Sequence, residues 1–349
     1  MTDDRHMARA LELARPYRTH PNPRVGAVVL DKDGNVVGEG AHLGPGQPHA
    51  EVSALERAGD AARDGTVYVT LEPCNHQGRT PPCVDALLAA GVAVVVVAAT
   101  DPDDQVSGGG IARLRSAGVV VIEGVMAKEG RQLDPAYFRH RETGMPLVTM
   151  KYAMTLDGSV AAADATSQWI TSPSAREDAH HLRSEMDAVI VGAGTLRLDD
   201  PELDVRLEGF QGAPPRPVVI AGTGQLPAAA RIWARDPIVV ATDDLDLPSG
   251  TLIKVLGGGG TPDPKAVCVA LADLGLLALL LEGGPTVAGA WWRSGVITRG
   301  VAYLGGRVGG GAGRSPLAGV FGTIADAEVV SITAVRSLDG DIRVDFERG

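Results

Sequence analysis

The spacing of apolar and polar residues changes repeatedly along the chain, and each change marks an element. Residues 2–15 carry Ala, Leu and Met at helical spacing on one face. HPNPRVG is a proline-rich turn, VGAVVLD a strand, and DKDGNVVGEG an Asp-Gly turn leading to a second strand. PHAEVSALERAGD has a helical period and stops at Gly; TVYVTLEP is a strand. PCVDALLAAG is a helix with Pro in its first turn and Gly after its end. VAVVVVAAT is an uninterrupted apolar run, the pattern of a strand buried on both faces. GGIARLRSAG then reads as a helix and VVVIEGV as a strand. This alternation predicts an α/β fold with at least part of its sheet parallel.

The pattern breaks at HRETGMP, near residue 140, which divides the chain into domains 1–144 and 145–349. A new series starts at LVTMKYAMTLDGSVA. Its strand candidates are 188–193, 217–222, 237–242 and 276–284, and its helices SAREDAHHLRSE and TVAGAWWRSG. The second domain is therefore also α/β. Taken alone, the glycine clusters GAGTLRLDDP and EGGPTVAGA read as turns, and GGGG at 257–260 and GGRVGGGAG at 305–313 as loops. There is no internal repeat.

Composition narrows the class. The chain has 349 residues, 44% hydrophobic and 21% charged, enough to build two cores. Aromatics make up 4%, so Ala, Val and Leu must fill those cores. A net charge of −11 without any Lys/Arg-rich run argues against a nucleic-acid partner. The N-terminus has no signal-peptide pattern, and the apolar run near residue 95 is too short to span a bilayer. Three cysteines form no disulfide framework, so a cytoplasmic setting is expected, with no membrane partner. Apolar edge strands are compatible with a homo-oligomer.

Chemistry concentrates in PHAEV (48–52) and EPCNHQGRTPPC (72–83). His49, Cys74 and Cys83 supply one nitrogen and two sulfurs, the three protein ligands of a catalytic zinc site with a fourth position left for water. Glu51 is not a ligand in this scheme but the proton shuttle. Placed at the first turn of a helix, His49 points to the metal while Glu51 reaches the water. Cys74 follows a strand and Cys83 opens a helix, where the helix end favours thiolate. Singly, each residue has an ordinary reading: a cap, a solvated charge, two unrelated thiols. Together they match the zinc-deaminase signature, H-x-E followed by P-C-x-x-C, apart from the longer gap between the cysteines. His76 is set aside, because a fourth ligand would close the catalytic position. Cys268, in VCVALADLG, is read as core.

HPNPRVGAVV, GEGAH, PHAEV and VTLEPCNHQGRTPPC, followed by KYAMTLDGSVA, TSQWITS, HLRSEMDAVIVGAGTLRLDDPELDVR and LLLEGGPTVAGAW, resemble the bifunctional deaminase/reductase family of riboflavin biosynthesis over nearly the whole chain. The long cysteine gap filled by GRTPPC is itself typical of that family. The resemblance implies a cytidine-deaminase-like N-terminal domain with one Zn2+ and a dihydrofolate-reductase-like C-terminal domain using NADPH. It implies a small pyrimidine ribosyl phosphate as substrate, deaminated and then reduced from ribosyl to ribityl.

By the same resemblance, Asn22, His42 and Arg79 contact substrate in the first site, with a turn-forming role for Asn22 an equal alternative. In the second site, Ala153, Trp169, Thr195, Asp199, Gly283, Gly284, Pro285, Thr286, Val287, Ala288 and Gly289 contact NADPH. Ser167, Arg183, Leu203, Arg206 and Glu282 contact substrate, with Arg183 and Arg206 as phosphate partners. GGPT opens a helix whose N-terminus suits phosphate, and neither glycine cluster is a dinucleotide fingerprint. Lys151 and Asp199 are candidates for proton handling, against the ordinary structural reading of a lysine. Two departures stand out. Asp103 replaces an Asn common in relatives, so that contact does not carry over, and AGTGQLP at 221–227 lacks the Arg that many relatives place after the third strand. Two other readings exist: an RNA-editing protein, disfavoured by the acidic balance, and an active deaminase beside a degenerate second domain, disfavoured by the intact TSQWITS and LDDP segments.

Overall fold

The period changes of the first 145 residues become one sheet with helices on both faces. The computed structural model describes residues 4–77, 81–103, 108–164, 166–222, 225–310, 313–319 and 322–349, and the chain divides into two compact units, Met1–Met145 and Pro146–Gly349. The first unit runs α1 (Asp4–Ala14), β1 (Gly26–Leu30), β2 (Val36–Ala41), α2 (Ala50–Ala58), β3 (Thr66–Leu71), α3 (Cys83–Ala90), β4 (Val94–Ala99), α4 (Gly109–Ser116), β5 (Val120–Glu123), α5 (Ala127–Leu133) and α6 (Pro135–Thr143).

Its sheet order is β2-β1-β3-β4-β5. Strand β1 is antiparallel to both neighbours, while β3, β4 and β5 are parallel. Alternate residues feed two cores. Ala27, Val29, Val67, Val69, Val95 and Val97 face α2, α3 and α4; Val28, Leu30, Tyr68, Val96 and Ala98 face α1 and α5. The sparse aromatics leave small side chains in these layers, and helices settle close to the sheet. One such close approach is α2 on β2. A Cβ at Gly38 would lie 2.1 Å from the Ala54 carbonyl oxygen, and one at Gly40 2.3 Å from that of Ala50. Only glycine admits that contact, and it sets the height of the helix whose first turn carries His49 and Glu51.

Strand direction then gathers the loops. Because β1 is antiparallel to β2 and β3, the start of β1 lies at the same sheet edge as the ends of β2, β3 and β4. Asn22 precedes β1, His42 follows β2, Cys74 follows β3 and Asp101 follows β4. Helices α5 and α6 have no counterpart in the sequence reading. They are short and polar, and their signal is a cap: Asp134 accepts from the Tyr137 N–H, with Pro135 next.

The second unit runs β6 (Leu147–Thr155), α7 (Pro173–Ser184), β7 (Ala188–Gly192), α8 (Ala193–Asp199), β8 (Arg216–Ile220), β9 (Ile238–Ala241), β10 (Thr251–Lys254), α9 (Pro264–Asp273), β11 (Ala278–Leu281), α10 (Pro285–Ser294), β12 (Ile297–Gly305), β13 (Val330–Leu338) and β14 (Asp341–Arg348). The sheet order is β10-β9-β8-β7-β11-β6-β12-β14-β13. It is parallel from β10 to β12 and ends in an antiparallel β14–β13 edge. The glycine cluster at 192–199 is not a turn. Strand β7 passes directly into α8 through an extended Gly192, where a Cβ would meet Val287 at 2.7 Å. Cys268 is fully buried in α9, as expected of core. Among the described residues, no helix is long and apolar enough to cross a membrane.

Replacing Gly40 with Val should destabilise the first unit by about 1–3 kcal/mol, the usual cost of overpacking. Denaturant unfolding followed by circular dichroism measures this, and a variant within about 0.5 kcal/mol of the parent would contradict the close-contact account.

Candidate functional site

The first site is built on α2, β3 and α3. His49 is the N-cap of α2, with extended backbone and no side-chain capping bond, so its ring does not cap the helix. Its Nδ1 lies 3.0 Å from Cys83 Sγ and 3.6 Å from Cys74 Sγ, and the two sulfurs are 3.5 Å apart. These are the only three residues among those described whose His, Cys, Asp or Glu ligand atoms cluster this way, all within 4.8 Å of one another. The donors around a tetrahedral zinc are about 3.5 Å apart, given bonds of about 2.0–2.3 Å. The donor set and its spacing therefore fit zinc. His76 lines the neighbouring cavity but is not in the group.

Electrostatics in the cluster follow from shared protons. The hydrogen bond with Cys83 pulls the Cys74 thiol down to about 4, against burial, with His49 and the Cys83 backbone N–H adding to it. Cys83 is pushed up because it keeps the proton it shares with Cys74, and because it is buried. The bond with Cys74 raises His49. Glu51 is 3% exposed, and burial first, then the charge on Cys74, pushes its carboxyl above the usual range.

A cavity of about 350 Å³ opens beside the cluster. Asn22, His42, His49 and Cys74 line it, as do three residues that motif reading did not assign: Asp101, Tyr137 and Arg141. Buried His42 lies 3.0 Å through Nδ1 from the Pro48 carbonyl, to which it donates, leaving Nε2 to accept from Asn22 Nδ2 at 3.0 Å. Burial lowers its pKa, so it is a neutral ring. The loop bearing Asn22 is anchored behind by His20, whose Nε2 is 2.8 Å from Asp134, and by the Arg24 N–H on the same carboxylate. Asp101 is buried and receives the Tyr137 hydroxyl on both oxygens at 3.1 Å; burial pushes it up to about 6. Arg79 lies outside the described residues. Glu72, in the same motif as Cys74, faces away from this chemistry. Its carboxylate accepts the N–H groups of Gly108, Gly110 and Ile111 and closes the start of α4.

In the second unit a cavity of about 490 Å³ lies at the C-terminal ends of β7, β8 and β11, where ligands bind in open α/β sheets. Ala153, Ser167, Thr195, Asp199, Glu282, Gly283, Gly284, Pro285, Thr286 and Val287 line it, with Lys151, Arg197 and Arg314 as cations. Asp199 is pushed up by burial. Trp169 instead lines an adjoining cavity of about 280 Å³ that shares Ser167, with the Arg176 guanidinium 4.5 Å above its ring. Ala288 is buried in α10, and Gly289 packs against the Ala318 backbone. Arg183 is bound bidentately by Glu282 at 2.6 and 3.0 Å, and Lys151 adds a contact at 3.4 Å. Burial works to raise Glu282, but Arg183 and then Lys151 hold it well below the usual carboxylate range. Leu203 is buried at positive φ, and Arg206 is exposed beside Asp204. In the 221–227 turn, residues 223–224 lie outside the described set; Gly222 lines the cavity.

A zinc-type deaminase unit followed by a second α/β unit with a nucleotide-sized cleft defines the class: a two-site enzyme acting on a pyrimidine. Comparison with known proteins agrees. The cytidine and deoxycytidylate deaminase zinc-binding region matches residues 1–99, and the RibD C-terminal domain matches residues 146–342. The chain is 40% identical to the riboflavin biosynthesis protein RibD of Escherichia coli, over 87% of this chain and 88% of that one. It is 44% identical to the RibD of Mycobacterium tuberculosis, over 82% and 79%. Its structure superposes on Acinetobacter baumannii RibD with a TM-score of 0.92 at 35% identity, covering 99% and 98% of the two chains. A diaminohydroxyphosphoribosylaminopyrimidine deaminase/5-amino-6-(5-phosphoribosylamino)uracil reductase from Thermotoga maritima gives 0.89 at 31% identity over the same shares. The chain belongs to the RibD family, bifunctional deaminase/reductases of riboflavin biosynthesis with a zinc-binding deaminase domain and an NADPH-dependent reductase domain.

Purified protein should hold about one zinc per chain, and Cys74→Ala should lose it, as read by elemental analysis. Glu72→Gln should keep the metal while costing about 1–2 kcal/mol of stability through the weakened α4 cap. Loss of zinc from Glu72→Gln with stability unchanged would reverse these two roles.

Proposed function

We propose that the chain performs two consecutive steps. The first unit deaminates 2,5-diamino-6-ribosylamino-4(3H)-pyrimidinone 5′-phosphate, consuming water and releasing ammonia. The second reduces the ribosyl group of that product with NADPH, giving 5-amino-6-ribitylamino-uracil 5′-phosphate. The observation that carries the reading is the convergence of His49, Cys74 and Cys83 near a buried Glu51, with His49 and Cys74 lining a substrate-sized cavity.

His49, Cys74 and Cys83 would hold zinc, which when bound supplies a water acidic enough to attack at neutral pH. Glu51 takes the proton from that water, passes it to the ring, and protonates the departing amine. Its burial raises this carboxyl above its ordinary range and so favours the protonated form that serves the departing amine. Asn22 hydrogen-bonds the substrate, and His42 and Arg79 serve its ribose and phosphate.

In the second site, Ala153, Thr195 and Asp199 line the NADPH cleft, and Gly283 to Val287 bring the α10 N-terminus to the pyrophosphate. Ala288 and Gly289 act from behind, as packing that lets this turn sit close. Trp169 contacts NADPH from the adjoining cavity, and Ser167, which lines both cavities, contacts substrate. Glu282 holds Arg183, and Leu203 shapes the wall near Arg206, which is the side chain free to swing onto a phosphate. Domain boundaries at 144/145 assign one reaction to each unit. We read the protein as cytoplasmic, acting on small molecules without a nucleic-acid or membrane partner; a homo-oligomer is compatible with this reading.

Glu51→Gln should lower deamination at least about a hundredfold, while NADPH-dependent reduction of the deaminated intermediate continues. Normal deamination by this variant would overturn the proton-shuttle assignment.

A further inference from the structure

The deaminase cavity carries two carboxylates that the assigned residues described in the structure do not offset. Asp101 and Asp103 both line it, each a carboxylate facing a space that, on the function proposed above, receives a phosphorylated substrate. Asp101 is neutralised only in part, by hydrogen bonds from Tyr137 and the Asp103 N–H, neither of which carries charge. Arg141 is the one Lys or Arg among the described residues lining this cavity. It comes from the last turn of α6, and its guanidinium lies 3.3 Å from Asp103 Oδ2 and 5.2 Å from the centre of the Tyr137 ring. The side chains of Arg141 and Asp103 are 34% and 20% exposed, so both the pair and its effect on a ligand are partly screened.

We infer that Arg141 is a positioning residue for deamination: paired with Asp103 and laid over Tyr137, it cancels a carboxylate at the cavity wall and lets the anionic substrate bind. The placement is supported from below. Tyr137 and Arg141 are four residues apart on α6, hence on one face of that helix. The helix is fixed by its Asp134 cap, and Asp134 is bound to His20 in the loop that carries Asn22. One anchor therefore holds both walls, the neutral one with Asn22 and the charged one with Arg141. Removing the guanidinium would leave two carboxylates facing the substrate phosphate across a few ångströms of partly solvated space, where like charges repel appreciably.

The test is a double-mutant cycle in the full chain with zinc bound, using deamination of the 5′-phosphorylated pyrimidine and of its dephosphorylated form. Arg141→Met should raise KM for the phosphorylated substrate about tenfold, with kcat changed less than about twofold. The rise should shrink as salt is added, and the dephosphorylated substrate should barely register the change. Arg141→Lys should recover most of the loss. Asp103→Asn alone should not raise KM, and in the Arg141→Met background it should return KM to within about threefold of the parent. Additive losses in the double variant, or an equal KM rise for both substrates, would overturn the inference. A parent enzyme that deaminates neither substrate would instead remove the reading of the cavity on which the inference rests.

Discussion

The backbone contact between α2 and β2 is the constraint on which the first site depends. Gly38 and Gly40 point the same way from β2, two residues apart, and α2 rests on them through the Ala54 and Ala50 carbonyls. With side chains there, the helix would ride higher, and His49 at its start would leave the sulfurs of Cys74 and Cys83. A ligand set spread over a helix N-cap, a strand exit and a helix start works only if the layers between them have one spacing. Small residues supply that spacing, in keeping with the low aromatic content.

Both cavities occupy the edge where parallel strands end, yet they handle charge differently. The first gathers titratable groups whose protons are shared: two thiols, a histidine and a buried glutamate, with the His42 ring edge-on to His49 at 5.2 Å. Such a cluster is costly without a cation, which is the physical reason it reads as a metal site. The second buries a carboxylate, Glu282, with its charge satisfied by Arg183 and Lys151. That arrangement is rigid and bidentate. It keeps Arg183 in place, while Arg206 lies exposed beside Asp204.

Much of this was legible in the chain. The helix and strand alternation gave the layers, and His49, Glu51, Cys74 and Cys83 were recognisable because their chemistry demands those types near one another. What the pattern concealed has specific causes. Helices α5 and α6 bury few apolar residues, so Tyr137 and Arg141 carried no periodic signal, although they sit on the cavity wall. Asp101 is brought in by strand order, which local pattern does not encode. Glu72 shares a motif with Cys74 but serves α4, thirty-six residues away in sequence at Gly108. The 192–199 cluster looked like a turn because glycines dominate it, and it is a helix because β7 delivers the chain directly into α8. Resemblance named more reductase residues than line the main cleft: Trp169, Arg183, Leu203, Arg206, Ala288 and Gly289 are not among its lining residues.

The central claim is that His49, Cys74 and Cys83 hold a zinc with one position open to water. X-ray absorption at the zinc edge of the purified, loaded protein measures it directly. The account predicts about two sulfur donors near 2.3 Å and two nitrogen or oxygen donors near 2.0 Å. A shell with no sulfur, or with three or more sulfurs, would contradict it.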